Sequence, residues 1–187
     1  MAQKSSTFLD ELANAARGCF ALLTGNRQAA TYFDFGQRGL VGSIIAFLIA
    51  SALGAFGSQL LGMPSPPGAA TQALILGGVL FLLQLGVCYL VLRQMGRLDG
   101  FIPFLVADNW ATFFTSILSL LLIVFGGPGD VVIIAIGLVV IIVEVNIARL
   151  IVTLAPLQIA IFIIAQVVAS ALGLLLLGGM LPAPPVV

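Results

Sequence analysis

Five long apolar runs dominate the chain, over residues 40–61, 71–92, 102–125, 131–153 and 157–181. Each is about the 20 residues that an α-helix needs to cross a hydrocarbon core of ~30 Å, or slightly longer. Proline and glycine separate them: Pro64-Ser65-Pro66-Pro67-Gly68, the stretch from Arg93 to Gly100, Gly126-Gly127-Pro128-Gly129, Ala155-Pro156, and Pro182 onward. Such residues end helices where water can satisfy the backbone. The fourth and fifth runs are nearly contiguous, which predicts a tight antiparallel hairpin. A four-span arrangement with one re-entrant run stays open, but the pattern favours five.

Ahead of these runs the pattern changes. Phe8, Leu12, Ala16, Phe20 and Leu23 recur at helical spacing, with Asp10, Glu11, Asn14 and Arg17 largely off that stripe. Thr7 and Asp10 have the spacing of a capping box, and Gly25 can stop the helix. The apolar stretch is too short and interrupted for a signal peptide or a span. It predicts an amphipathic helix, either lying on the cytoplasmic leaflet or packed against the cytoplasmic ends of the bundle. The expected product is an all-α integral membrane protein: residues 1–37 form the amphipathic segment, and residues 38–187 a five-helix transmembrane domain.

Composition agrees with lipid as the solvent. Hydrophobic residues make up 61% of the chain and charged residues 7%, against roughly 25% charged in ordinary soluble domains. The 7 basic and 7 acidic side chains cancel, leaving no global field to attract nucleic acid. Their placement is more informative. Lys4, Arg17, Arg27 and Arg38 precede the first run, Arg93 and Arg97 follow the second, and Arg149 lies near the end of the fourth. Five alternating spans put all seven on one side, which the positive-inside rule makes cytoplasmic. The C-terminus then lies on the opposite side.

Chemistry is sparse. There is no histidine, which removes the commonest metal ligand and general base. Cys19 and Cys88 have neither metal nor redox spacing. No serine stands in a triad arrangement, and Ser116, Ser119 and Ser170 are expected to bond back within their helices. Gln84, Gln158 and Gln166 are expected to bond between helices, and Gly54, Gly57, Gly77, Gly78 and Gly173 to permit close helix contact. No cofactor, metal site or catalytic residue is expected.

Polar residues within spans are costly and therefore informative. Asp108-Asn109-Trp110 sits about two turns into the third run, and Glu144, Asn146 and Arg149 reach a similar depth on the fourth. Arg149 is expected to pair with Asp108. Arg93 either neutralises Glu144 or extends into the headgroups. One reading is a clasp that fixes helix register, with Trp110 packed beneath it; the other makes Asp108 and Glu144 proton- or cation-binding carboxylates. A paired, dry interior would favour the first, and a water-accessible cleft ending at Asp108 the second.

The segment Phe101-Ile102-Pro103-Phe104-Leu105-Val106-Ala107-Asp108-Asn109-Trp110 resembles the third span of bacterial Yip1-like membrane proteins. Tyr32-Phe33-Asp34-Phe35 followed by Gly39-Leu40 resembles the start of their first span, and the segment from Glu144 to Arg149 adds to the likeness. The resemblance implies a five-span protein of the bacterial inner membrane with no catalytic residue; eukaryotic members contact small GTPases in vesicle trafficking. The leading expectation is a non-enzymatic Yip1-like scaffold or accessory subunit. Its expected partners are the lipid bilayer and further copies of itself or other membrane proteins, not nucleic acid. The alternative is a small transporter or channel component with a polar site between spans three and four.

Overall fold

The computed structural model of the chain describes residues 7–63, 65–126 and 129–178. Lys4, Pro64, Gly127, Pro128, residues 179–181 of the fifth run and Pro182 lie outside them. Six α-helices form among the described residues: α1 (Phe8–Leu23), α2 (Gln37–Leu60), α3 (Ala69–Gln94), α4 (Phe101–Gly126), α5 (Asp130–Asn146) and α6 (Pro156–Gly178). α5 runs on into a π-helical turn, Ile147–Ile151. Helices α2 to α6 are long and apolar enough to cross a membrane. Among the described residues each apolar run forms one continuous helix of that length, and none is re-entrant, as the four-span arrangement would require.

α2 packs along α4, and α3 along α6. The two pairs are joined by α2–α3 contact, where the Phe47 and Phe81 rings stack at 4.0 Å. α5 rests on α4 and α1 and makes few contacts with α6. The packed core lies at the α1 end of the bundle: Leu92, Phe104, Val106, Trp110, Ile147, Val152 and Phe162 are buried there. Phe104 meets Phe162 edge-on at 5.1 Å, closing that end. Toward the far end, Phe125, Val131 and Leu175 are exposed. Of the glycines expected to bring helices together, Gly54, Gly77 and Gly78 face open space, whereas Gly173 is pressed against Leu80 and Leu83.

α1 crosses α2, α4 and α5. Thr7 and Asp10 cap its start reciprocally, and the Thr7 N–H and hydroxyl hold the Asp10 carboxyl below its usual range. Gly25, at φ +68°, ends it in a left-handed turn. The fully buried residues of α1 are the small Ala15, Gly18 and Ala21 with Leu22; of the apolar stripe, Phe8 meets Trp110 and Leu12 packs against the core, whereas Phe20 is exposed, as is Leu9. Small residues let the helices approach. The Phe33 ring lies on Gly18, and the Glu11 carboxyl lies on Gly42 of α2, where a Cβ would overlap it.

Glu11 is the costly part of this docking, because its Oε1 is enclosed without a partner. Burial pushes its carboxyl above the usual 4.5, Asp34 pushes the same way, and Arg38 opposes them. Docked α1 therefore binds the proton more tightly than free α1. This contribution is fully present below about pH 4.5 and is lost as pH rises through the raised value. Hydrogen exchange in α1, corrected for intrinsic rates, should accelerate relative to α4 across that rise. Glu11→Gln should flatten the profile and slow α1 exchange at neutral pH. Identical profiles for parent and variant would rule Glu11 out as the cause.

Candidate functional site

Three consecutive helical residues point in directions roughly 100° apart, and Asp108-Asn109-Trp110 is divided accordingly. Trp110 is buried among Phe8 of α1 (6.2 Å between ring centroids), Phe113 (5.9 Å) and Phe114 (6.1 Å). Asn109 is fully buried against α2, where its Nδ2 donates to Ser43 Oγ at 3.2 Å. Asp108 faces α5. There its carboxyl group comes within hydrogen-bonding reach of the Glu144 carboxyl.

The remaining members of the expected cluster have other partners. Asn146 Nδ2 donates to the Leu22 carbonyl at 2.8 Å, which also accepts from Gly25 N at 3.0 Å, so α5 is tied to the last turn of α1. Arg149 is exposed within the π-turn, and the ion pair expected between Arg149 and Asp108 is not formed. The extra residue per π-turn moves Arg149 off the face that a regular helix would give it. Arg93 is exposed and does not pair with Glu144. The only ion pair among the described residues is Arg97–Asp99, at 3.5 Å.

Arg97 has a role that sequence reading missed. Its Nη1 donates to the Thr153 carbonyl at 2.7 Å, and its Nη2 to Thr153 Oγ1 at 2.6 Å and to the Val152 carbonyl. Thr153 holds φ +58°, uncommon for a β-branched residue. Arg97 thus ties the α3–α4 connection to the α5–α6 turn. On the far side of that turn, Gln158 Oε1 accepts from Ala155 N at 2.9 Å.

The Asp108–Glu144 pair opens on a cavity of about 570 Å³ to which α2 through α6 all contribute. Gln84, Thr112, Gln166 and Ser170 add polar groups to its wall; none of its lining residues is Lys or Arg. Gln84 Nε2 donates to Ser170 Oγ at 2.9 Å, and Ser170 Oγ to the Gln166 carbonyl at 2.8 Å. Gln166 Oε1 is enclosed and has no partner. Glu144 also borders a smaller space of about 160 Å³ lined by Thr112, Thr115, Ser116 and Ser119. The Ser116 and Ser119 hydroxyls donate to Thr112 O and Thr115 O of their own helix, leaving lone pairs available to that space.

Among the described residues no group of three His, Cys, Asp or Glu side chains converges. Burial pushes the Cys19 thiol up to about 12, so it stays protonated and unreactive. Two carboxylates in contact repel strongly in a low-dielectric setting, and their contact calls for a proton or another cation between them. Comparison with protein families, curated proteins and solved structures finds no match.

Asn109 and Ser43 provide a check on the division of polar residues. A double-mutant cycle with Asn109→Ala and Ser43→Ala, read by unfolding in mixed micelles, should give a coupling of about 0.6 kcal/mol. Crossing Asn109→Ala with Glu144→Gln should give none. Coupling in the second cycle as large as in the first would restore a single cluster.

Proposed function

We propose that this chain is a small membrane transporter or channel component that binds a proton or a cation at the Asp108–Glu144 pair. The observation that carries this reading is two carboxyl groups meeting on the wall of an open cavity with no basic side chain beside them. A structural clasp would instead use Arg149 or Arg93 as counter-charge, and both are exposed and unpaired with these carboxyls. The hydroxyl-lined space along α4 supplies further oxygen acceptors next to Glu144.

The α1 end is assigned to the cytoplasm. Arg17, Arg27, Arg38, Arg93, Arg97 and Arg149 all belong to that end of the helix order, where basic residues are retained. A bacterial inner-membrane location follows from the Yip1 resemblance. That resemblance also supports a second reading, a non-enzymatic scaffold, through one feature: docked α1 leaves Leu9 and Phe20 exposed for lipid or for another membrane protein.

Reconstitution tests the two readings. In liposomes carrying an internal pH dye, an imposed Na⁺ or K⁺ gradient should change luminal pH. Asp108→Asn and Glu144→Gln, both close to isosteric, should each lower the rate at least tenfold. Rates equal in parent and variants, or no higher than in protein-free vesicles, would sink the transport reading. The scaffold reading would then require gentle extraction to yield a larger assembly.

A further inference from the structure

The cavity is far larger than a bare ion requires. A single water occupies roughly 30 Å³ of liquid, whereas a space of about 570 Å³ lies within the ~300–1,000 Å³ typical of sites for small organic molecules. Its lining is divided along the membrane normal. At 1.5 Å per residue, Asp108 lies roughly 10 Å in from the Phe101 end of α4, whereas Gly77 lies roughly 25 Å in from the Gln94 end of α3. The carboxyl pair thus occupies the α1 end, and the wall beyond it is largely apolar, with Leu80, Phe81 and Leu174.

Three acceptors on the wall lack a compensating partner. The two carboxyls have no basic neighbour, and the enclosed Gln166 Oε1 has no donor. All are acceptors. A ligand that suits them brings N–H donors and positive charge, and the apolar wall suits an apolar body. The Phe81 ring adds a π surface that tolerates a cation.

The cavity also has a side opening. Ile141, Val167 and Leu174 line it and are nevertheless exposed, and α5 and α6, which carry them, make few contacts with each other. The gap lies at the depth of the apolar segments, within reach of a solute dissolved in the bilayer.

We infer that the cavity takes a lipophilic organic cation, with its charged head on Asp108 and Glu144 and its apolar body along α3 and α6, admitted between α5 and α6. The inference rests on the pair being a cation site, as proposed above. A zwitterionic aminolipid shares the amine and the apolar chains, but it would bring its phosphate close to the carboxylates. The favoured ligand is therefore net cationic.

The test uses the full chain in phosphatidylcholine nanodiscs, with octylammonium as probe and 1-octanol as its neutral counterpart. Equilibrium dialysis corrected for empty nanodiscs should give saturable octylammonium binding at one site and none for octanol. Asp108→Asn and Glu144→Gln should each weaken it at least tenfold. Gly77→Leu adds a side chain where a Cβ meets nothing within 4 Å, so it should fold normally. It should narrow the cavity and weaken octylammonium at least tenfold. Absence of saturable binding, equal binding of octanol, binding indifferent to the carboxyl substitutions or to Gly77→Leu, or displacement by phosphatidylethanolamine would each overturn the inference. If flux still depends on Asp108 and Glu144 in that event, the cation site stands and only its ligand is wrong. If flux is indifferent to both, the cation site falls as well.

Discussion

A backbone that crosses hydrocarbon must satisfy its own N–H and C=O groups, and the fold follows from that constraint. The five long helices meet it internally over most of their length, so the difficulty moves to their ends. At the α1 end those ends are handled by side chains. Asn146 takes the Leu22 carbonyl, Arg97 takes the carbonyls of Val152 and Thr153, and Gln158 takes the N–H of Ala155. The same end holds the packed core. Tight closure there is compatible with looser contact between α5 and α6 farther along, which is where the cavity lies.

Within the spans, polar side chains divide into two groups. Asn109 Nδ2 with Ser43, and Gln84 with Ser170, each find a partner on another helix, although Asn109 Oδ1 stays enclosed without one; such bonds are worth about 0.6 kcal/mol in a membrane and serve mainly to fix register. Asp108, Glu144 and the Gln166 oxygen do not find a neutralising or donating partner. Leaving charge and acceptors uncompensated in hydrocarbon is expensive, whereas placing them on an open cavity lets a ligand or water supply what the protein does not. Gln84 and Ser170 face the same cavity but compensate each other, so what distinguishes Asp108, Glu144 and the Gln166 oxygen is what a ligand would have to supply.

The five helices were legible because a run of ~20 apolar residues has few other uses, and Pro156, together with Gly129 and Gly68, marks helix starts that the structure adopts. The capping box of Thr7 and Asp10 was equally local and equally legible. What failed depended on rotation about helix axes. The closest approaches of α1 are Gly18 against Phe33 and Glu11 against Gly42, a fit that hydropathy does not register. The π-turn after Asn146 has no sequence signature of its own, so the pairing of Arg149 with Asp108 was built on a helical count that the turn breaks. Arg97 read as one more basic loop residue because its partners are carbonyls two helices away. The meeting of Asp108 with Glu144 was within reach of the sequence, since both lie at one depth; the loss of their expected counter-ion was not.

The stretch from Glu144 to Thr153 joins these features. Glu144 faces Asp108 and the cavity, and two residues later Asn146 holds the end of α1. The π-turn follows at once, Val152 fills the space beside Gly100, and Arg97 fixes the carbonyls of Val152 and Thr153. A π-turn costs regular hydrogen-bond geometry and survives where the surroundings hold it. Here α4, α6 and the α3–α4 connection do so, and Asn146 ties the turn before it to α1. The Glu144 carboxylate is thereby mounted on the most constrained segment of α5, while the outer part of that helix, with Ile133 and Ile134 exposed and few contacts to α6, is the least constrained. A rigid floor beneath a loosely held wall is an arrangement in which a ligand can be admitted without disturbing the charges that receive it.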